Sequence, residues 1–279
     1  MTSDDPVVAL ALEAEEHDGV AAFDEATLLT LARHPERVTR FEGDDGVALV
    51  IGDELSLLVR PSARGQGIGT RLAEQAVNAG VRRAWSHGDH PAAAALASRF
   101  GFERERELWV MRLSLSTTAL STGEDLVHLL PPGMLVRPYR SADASEVLRV
   151  NAAAFAEHPE QGGMDSVNLA DRMSQDWFDP NWLLTAWRTT PETPKGLALA
   201  GFHWLKRHSA TDAEVYVIAV DPAAQGLGLG GILLDTGIAL AARDGAESIH
   251  LYVESDNPAV HLYERKGFVH TETHVQYVR

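Results

Sequence analysis

Apolar residues recur at helical spacing in two stretches, Ile68, Leu72 and Ala76, then Leu229, Leu233, Leu234, Ile238 and Ala241. Each stretch follows a short apolar run, Leu57-Leu58-Val59 in the first and Ile218-Ala219-Val220 in the second, with closely spaced glycines between run and helix. The pattern predicts strand, turn and helix, twice over. Gly245 to Val253 reads as a further strand reached through the second helix, and a strand reached that way pairs in parallel. The class this predicts is α/β, with a mixed central sheet flanked by helices.

The two glycine segments are copies. Val59-Arg60-Pro61 precedes Arg64-Gly65-Gln66-Gly67-Ile68-Gly69, and Val220-Asp221-Pro222 precedes Gln225-Gly226-Leu227-Gly228-Leu229-Gly230. The offset is constant, since 220 − 59 and 230 − 69 both give 161. Each copy closes on a further shared element, Phe100-Gly101-Phe102 or Lys266-Gly267-Phe268. Between the copies lies a Ser- and Thr-rich stretch ending in Pro131-Pro132-Gly133, which has the composition of a linker. Two tandem domains are expected, 1–114 and 134–279, joined by a linker over 115–133.

Composition narrows the chemistry. With 24 Lys and Arg against 40 Asp and Glu, the formal charge of −16 repels nucleic acid and anionic lipid. No run of about twenty apolar residues exists, and the acidic start Met1-Thr2-Ser3-Asp4-Asp5 does not read as a signal peptide, so a cytoplasmic protein is expected, and a monomer. The absence of cysteine rules out thiolate zinc sites and a cysteine nucleophile. The twelve histidines are scattered, and the spacing of His203 and His208 does not put both rings on one face, so no metal is expected.

A strand that enters a helix through spaced glycines points several backbone N–H groups, and the positive end of the helix dipole, at one place that suits a pyrophosphate. The spacing is neither that of the phosphate loop nor that of the dinucleotide turn. It resembles the GNAT superfamily of N-acetyltransferases, whose acyl-coenzyme A site carries Gln/Arg-x-x-Gly-x-Gly/Ala after a strand ending in Val-x-Pro. Ala259-Val260-His261-Leu262-Tyr263-Glu264-Arg265-Lys266-Gly267-Phe268 matches a second segment of that superfamily. The resemblance implies two GNAT-type domains and acetyl-CoA as co-substrate. In the first domain it implies coenzyme contacts from Leu57, Leu58, Val59, Gly65, Gln66, Gly67, Ile68, Gly69 and Thr70. In the second it implies contacts from Ile218, Ala219 and Val220, from Gln225, Gly226, Leu227, Gly228, Leu229, Gly230 and Gly231, and from Asn257, Pro258, Ala259, Val260, His261 and Leu262. The family's asparagine, seven residues before the tyrosine, falls on Asp256 here, with Asn257 one place later.

Acetyl transfer from a thioester to an amine needs a neutral amine, a stabilised oxyanion and a proton for the departing thiolate. Strict alternation puts Glu214, Tyr216, Ile218 and Val220 on one face of the strand that runs to the coenzyme turn, which makes Glu214 the candidate general base. By resemblance Tyr263 is the general acid. In the first copy Ala97 stands four residues before Gly101, so no phenol is available there. Asp53 lies six residues before Val59, as Glu214 lies six before Val220. The first domain is therefore expected not to catalyse transfer, and its coenzyme binding stays open.

Three longer segments, Ala154 to Gly163, Gly201 to Lys206 and Glu214 to Val217, resemble a tandem branch of the superfamily that acetylates the cysteinyl amine of desacetylmycothiol, Cys-GlcN-inositol. That likeness implies acceptor contacts from Glu25, Glu160, Lys206, Glu214 and Tyr252. Lys206 and Tyr252 supply the donors that a hydroxyl-rich acceptor wants. The alternatives are a tandem acetyltransferase for another small amine or peptide and a non-catalytic acetyl-CoA sensor.

Overall fold

The computed structural model describes residues 5–115, 130–157, 159–189 and 196–279, the side chains of 159 and 160 excepted. It divides into two compact units. Unit 1 holds residues 1–110, 253–257 and 271–279, and unit 2 holds residues 111–252 and 258–270.

Unit 1 begins with helices α1 (Pro6–Asp18) and α2 (Glu25–Arg33), whose first N–H groups are capped by the side chains of Asp5 and Asp24. Strands β1 (Val38–Gly43), β2 (Gly46–Ile51) and β3 (Glu54–Val59) form an antiparallel meander. Helix α3 (Ile68–Asn78) leads to β4 (Arg83–Ser86), which pairs in parallel with β3 at only Glu54↔Arg83 and Leu55↔Ala84. Helix α4 (Pro91–Phe100) then precedes β5 (Glu103–Ser114). Strand β2 is buried on both faces, as a central strand must be. Val47 and Leu49 pack with Val7, Leu10 and Leu31 of the helices before it, while Ala48 and Val50 pack with Leu72 and Ala76 of α3.

Unit 2 repeats the plan. Strands β6 (Met134–Pro138), β7 (Leu183–Arg188), β8 (Ala198–Arg207) and β9 (Asp212–Val220) are antiparallel neighbours. Helices α5 (Ala144–Ala154), α6 (Pro159–Gly162) and α7 (Ser166–Met173) lie between β6 and β7 in sequence. Helix α8 (Leu229–Arg243) connects β9 to β10 (Ser248–Glu254), which pairs in parallel with β9 at Ser248↔Asp212, Ile249↔Ala213 and His250↔Glu214. Helix α9 (Val260–Arg265) and β11 (Val269–Val278) follow. His203 explains one glycine of α8. The ring is fully buried, its Nδ1 bonds Leu233 C=O at 2.8 Å, and a Cβ on Gly237 would fall 2.1 Å from Cε1.

The expected boundaries describe chain order, and compactness divides the chain differently. Strand β4 needs a partner on its outer edge, and Val275–Val278 of β11 pair with it antiparallel, which puts 271–279 in unit 1. In unit 2 the corresponding place beside β10 is taken by residues 111–114 of β5, with Leu115 N–H donating to Glu247 C=O at 2.8 Å. Each unit is thus completed by a strand that sequence order assigns to the other. Of the linker expected at 115–133, residues 116–129 lie outside the described residues.

Candidate active site

Both glycine turns adopt the conformation that only glycine takes freely. Gly65 and Gly67 have φ of 79° and 80°, and Gly226 and Gly228 have φ of 78° and 73°. Gly67 and Gly228 stand at the N-caps of α3 and α8, where no side chain accepts a hydrogen bond from the helix. Asp5, Asp24, His90 and Asp165 do cap α1, α2, α4 and α7. The first N–H groups of α3 and α8, like those of α5 and α9, have no side-chain cap, and an anion could complete them. Space at both turns is open, because a Cβ on Gly65, Gly226 or Gly228 would meet nothing within 4 Å.

In unit 1 a cavity of about 630 Å³ opens between β3, β4, α3 and α4. Leu57, Leu58, Val59, Gly65, Gly67, Ile68, Gly69 and Thr70 line it, which is the expected coenzyme set apart from Gln66. Asp18 and Arg64 stand at its wall, joined by two bonds of 2.7 and 2.6 Å, and the guanidinium holds the Asp18 carboxyl down at about 2.

In unit 2 strand β9 carries the candidate base, Glu214. Its parallel pairing with β10 ends at Glu214, so the backbone edge of β9 from Val215 to Val220 runs on beside the gap that the departing strand leaves. Glu214 is 7% exposed and pairs across the sheet with Lys206, which is also buried. The Lys206 ammonium stands 5.0 Å from the Trp177 ring and 5.5 Å from that of Tyr216, contacts that keep a desolvated cation favourable. Arg172 donates to the Tyr216 hydroxyl at 2.9 Å.

Strict alternation along β9 does not hold. The register with β8 shifts between Trp204↔Val217 and Leu205↔Val215, so Tyr216 is the extra residue of a bulge. Ile218 and Val220 pack with Leu229 and Leu233 of α8, whereas Tyr216 packs with Val217, Ala219 and Trp204 on the other face. Glu214 shares its side of the sheet with Lys206 and Tyr216, and not with Ile218 and Val220. Ile218, Ala219 and Val220 can face a coenzyme with backbone alone.

Tyr263, on α9, is 7% exposed, with its ring 5.9 Å from that of Phe268. Burial pushes its hydroxyl up to about 12, so it stays protonated throughout the neutral range. The segment Pro258 to Leu262 leads into α9, where Val260 is buried and exposed His261 meets Glu264 at 3.3 Å. Asn257 falls in unit 1, its N–H donating to Glu254 C=O at 3.0 Å. Tyr252, on β10, is 47% exposed and its ring meets that of His250 at 5.8 Å. Glu25 is the first residue of α2 in unit 1, and the side chain of Glu160 lies outside the described residues.

Two histidines were not expected here. His208, in the hairpin between β8 and β9, bonds Glu214 Oε2 through Nε2 at 2.6 Å, and its ring lies 5.0 Å from that of buried His250. His250 Nδ1 is 3.2 Å from Asp212 Oδ2, and Asp212 accepts from Arg112 at 2.7 Å. Burial holds His250 below its ordinary value. The expectation of scattered histidines is corrected at this point, since donor atoms of His208, Glu214 and His250 lie within 4.8 Å of one another. Their shortest contact is tighter than the spacing of about 3.3 Å between two ligands of one tetrahedral ion, so His208 and Glu214 are joined by a hydrogen bond, with the His250 ring packed beside them. The signal in the sequence was the turn-forming Ser209-Ala210-Thr211, which folds His208 back toward β9; counting residues as if on one straight strand hid it.

Asp53 does not stand where Glu214 does. Arg82 and Arg83 N–H donate to Asp53 C=O as Glu247 and Ser248 N–H donate to Thr211 C=O. By that register Asp53 corresponds to Thr211, and buried Ser56 occupies the slot of Glu214. Strand β9 is longer than β3 between parallel pairing and glycine turn, so counting back from the turn misaligns the two. The Asp53 carboxylate instead pairs with Arg83 at 2.6 Å.

Comparison with known proteins agrees with this geometry. A family profile described as Acetyltransferase (GNAT) family matches residues 152–268, and one described as Acetyltransferase (GNAT) domain matches 20–104. The chain is 50% identical to the mycothiol acetyltransferase of Nocardioides sp., over 98% of this chain and 96% of that one. It is 41% identical to the mycothiol acetyltransferase of Clavibacter sepedonicus, over 98% and 91%. Among solved structures, a tandem GNAT protein from the clavulanic acid biosynthesis pathway superposes with a TM-score of 0.68 at 18% identity, covering 99% of this chain and 95% of that one. A GCN5-related N-acetyltransferase from Sphaerobacter thermophilus gives 0.67 at 18%, covering 98% and 91%. These two likenesses concern the fold.

Proposed function

Because the chain belongs to the mycothiol acetyltransferase family, within the GNAT acetyltransferases, we propose that it acetylates the cysteinyl amine of desacetylmycothiol by direct attack on acetyl-CoA in a ternary complex. The observation that carries this reading is strand β9. It bears a buried carboxylate where its parallel partner leaves it, and it ends in a glycine turn whose helix lacks a side-chain cap.

In this reading the pyrophosphate of acetyl-CoA caps α8, and the thioester reaches back along the open edge of β9. Backbone N–H groups on that edge donate to the carbonyl oxygen as it becomes an oxyanion. Glu214 takes a proton from the cysteinyl ammonium, and the free amine attacks the carbonyl carbon. As the C–S bond breaks, Tyr263 donates its proton to the sulfur, and the proton that the adduct nitrogen must still lose to become an amide restores the phenol. A phenol near 12 is a weak acid for a thiolate in water, but burial raises the thiol as well and narrows the difference. Lys206 and Tyr252 hold the sugar and inositol hydroxyls, with Glu160 as a further contact.

Unit 1 binds acetyl-CoA in its cavity without catalysing transfer. The protein works as a cytoplasmic monomer without a metal, and activity that survives a chelator, with one light species in sedimentation, checks those two points. The deciding experiment offers acetyl-CoA with desacetylmycothiol, free glucosamine, an aminoglycoside and a peptide. Turnover selective for the first supports the reading. Turnover of another amine alone moves the protein to a different acceptor, and coenzyme binding without turnover makes it a sensor.

A further inference from the structure

The reaction as read above leaves a proton on Glu214, whose side chain is 9% exposed. Until that proton reaches water, the base cannot serve a second turnover. The hydrogen bond from His208 Nε2 to Glu214 Oε2 spans 2.6 Å, and the His208 side chain is 36% exposed. The imidazole also lines a cavity of about 340 Å³ with Asp176, Asp179 and Ser209. It therefore touches the buried base on one side and open space on the other.

We propose that His208 relays the acceptor's proton from Glu214 to solvent, an inference that rests on the proposed reaction. The steps balance. The ammonium N–H bond breaks and its proton goes to a Glu214 oxygen. In the resting state the imidazole Nε2–H donates to the Glu214 carboxylate; once Glu214 is protonated, solvent exchange moves the ring proton to Nδ1, Glu214 passes its proton to the freed Nε2, and the imidazolium gives its Nδ1 proton to water in the cavity, which restores the resting tautomer. The carboxylate is regenerated, and no other group changes its charge.

The surroundings suit a carrier. Glu214 and Asp212 face the ring from β9, His250 from β10, Lys206 and Arg207 stand on the neighbouring β8, and Asp176 and Asp179 lie across the cavity. Burial lowers the proton affinity of His250, which disfavours a second positive charge beside an imidazolium. Its ring, 5.0 Å away, limits how far His208 can turn from Glu214.

The test compares wild type with His208→Ala and His208→Gln, reading kcat, KM and the pH profile, with and without added imidazole. Glutamine can still donate a hydrogen bond to Glu214, but it cannot carry a proton. Both variants are expected to lose about 10- to 100-fold in kcat with KM for either substrate little changed. Imidazole restores the alanine variant saturably and not the glutamine variant. Neither the loss nor the rescue appears on a Glu214→Gln background. Wild-type kcat in His208→Gln overturns the relay and leaves a positioning contact, and a loss in His208→Ala that imidazole does not repair overturns it too. If wild type acetylates a different amine, the acceptor assignment fails and the relay is tested on that amine. A wild type that acetylates none overturns both.

Discussion

The two units share a backbone plan and differ in what they hang on it. Each has a meander, a strand that parts from its parallel neighbour, and a glycine turn that leaves a helix N-terminus uncapped. Unit 2 puts Glu214 where unit 1 has Ser56, and Tyr263 where unit 1 has Ala97. The latter match is set by the chain itself, since Phe102 N–H reaches Ala97 C=O and Phe268 N–H reaches Tyr263 C=O in the same turn. Under the proposed function, coenzyme binding would rest on backbone conformation and survive in unit 1 with its glycines, whereas catalysis would rest on Glu214 and Tyr263 and be missing there.

The largest effect that would break this contrast is on turnover. Glu214→Gln and Tyr263→Phe should each lower kcat by about 10²- to 10⁴-fold in steady-state assays while acetyl-CoA still binds. Ser56→Ala in unit 1 should leave kcat within twofold. Next come the glycine turns. A valine at Gly228, where φ is 73°, should raise KM for acetyl-CoA about tenfold or more. Gly67→Val, at φ 80°, should leave that KM alone and remove one site from the binding stoichiometry measured by calorimetry.

Acid separates the units less sharply, because each buries histidines that resist protonation, His87 and His274 in unit 1 and His203 and His250 in unit 2. Burial holds His274 of unit 1 and His203 of unit 2 at about 4. A folded-state value below the ordinary 6.5 means that the unfolded chain binds the proton more readily, so stability is intact above 6.5 and falls as the pH drops toward 4. Each histidine accounts for up to about 3 kcal/mol of that loss. Thermal melts at pH 7.5 and 4.5 should show it, and His274→Asn should lessen it in unit 1 alone. The smallest expected effect is at Asp53→Asn, whose ion pair with Arg83 is 41% exposed on both sides. It should cost less than about 1 kcal/mol and no activity, although sequence counting aligns Asp53 with the general base.

What could be read in the sequence and what could not divides along locality. The glycine turns, their helices and the repeat were legible because positive φ and helical spacing are written within a few residues. Glu214 and Tyr263 could be singled out as candidates in the sequence, but their surroundings could not. Alternation misplaced Ile218 and Val220 relative to Glu214, since the bulge at Tyr216 answers to pairing with β8. His208 was set aside because its partner is brought to it by a hairpin. The exchange of β5 and β11 segments joins residues far apart in sequence, for which no local pattern exists.

That exchange bears on how the protein is made. Unit 1 is assembled from residues 1–110, 253–257 and 271–279, so the strand segment that pairs with β4 is synthesised about 160 residues after residue 110. At a ribosomal pace of roughly 5–20 residues per second, β4 waits some ten to thirty seconds with one edge open. During that interval β5, already translated, is the nearest strand that could occupy the vacancy. The nascent chain must then give up a local pairing for a distant one, or hold β5 back until unit 2 exists to receive it.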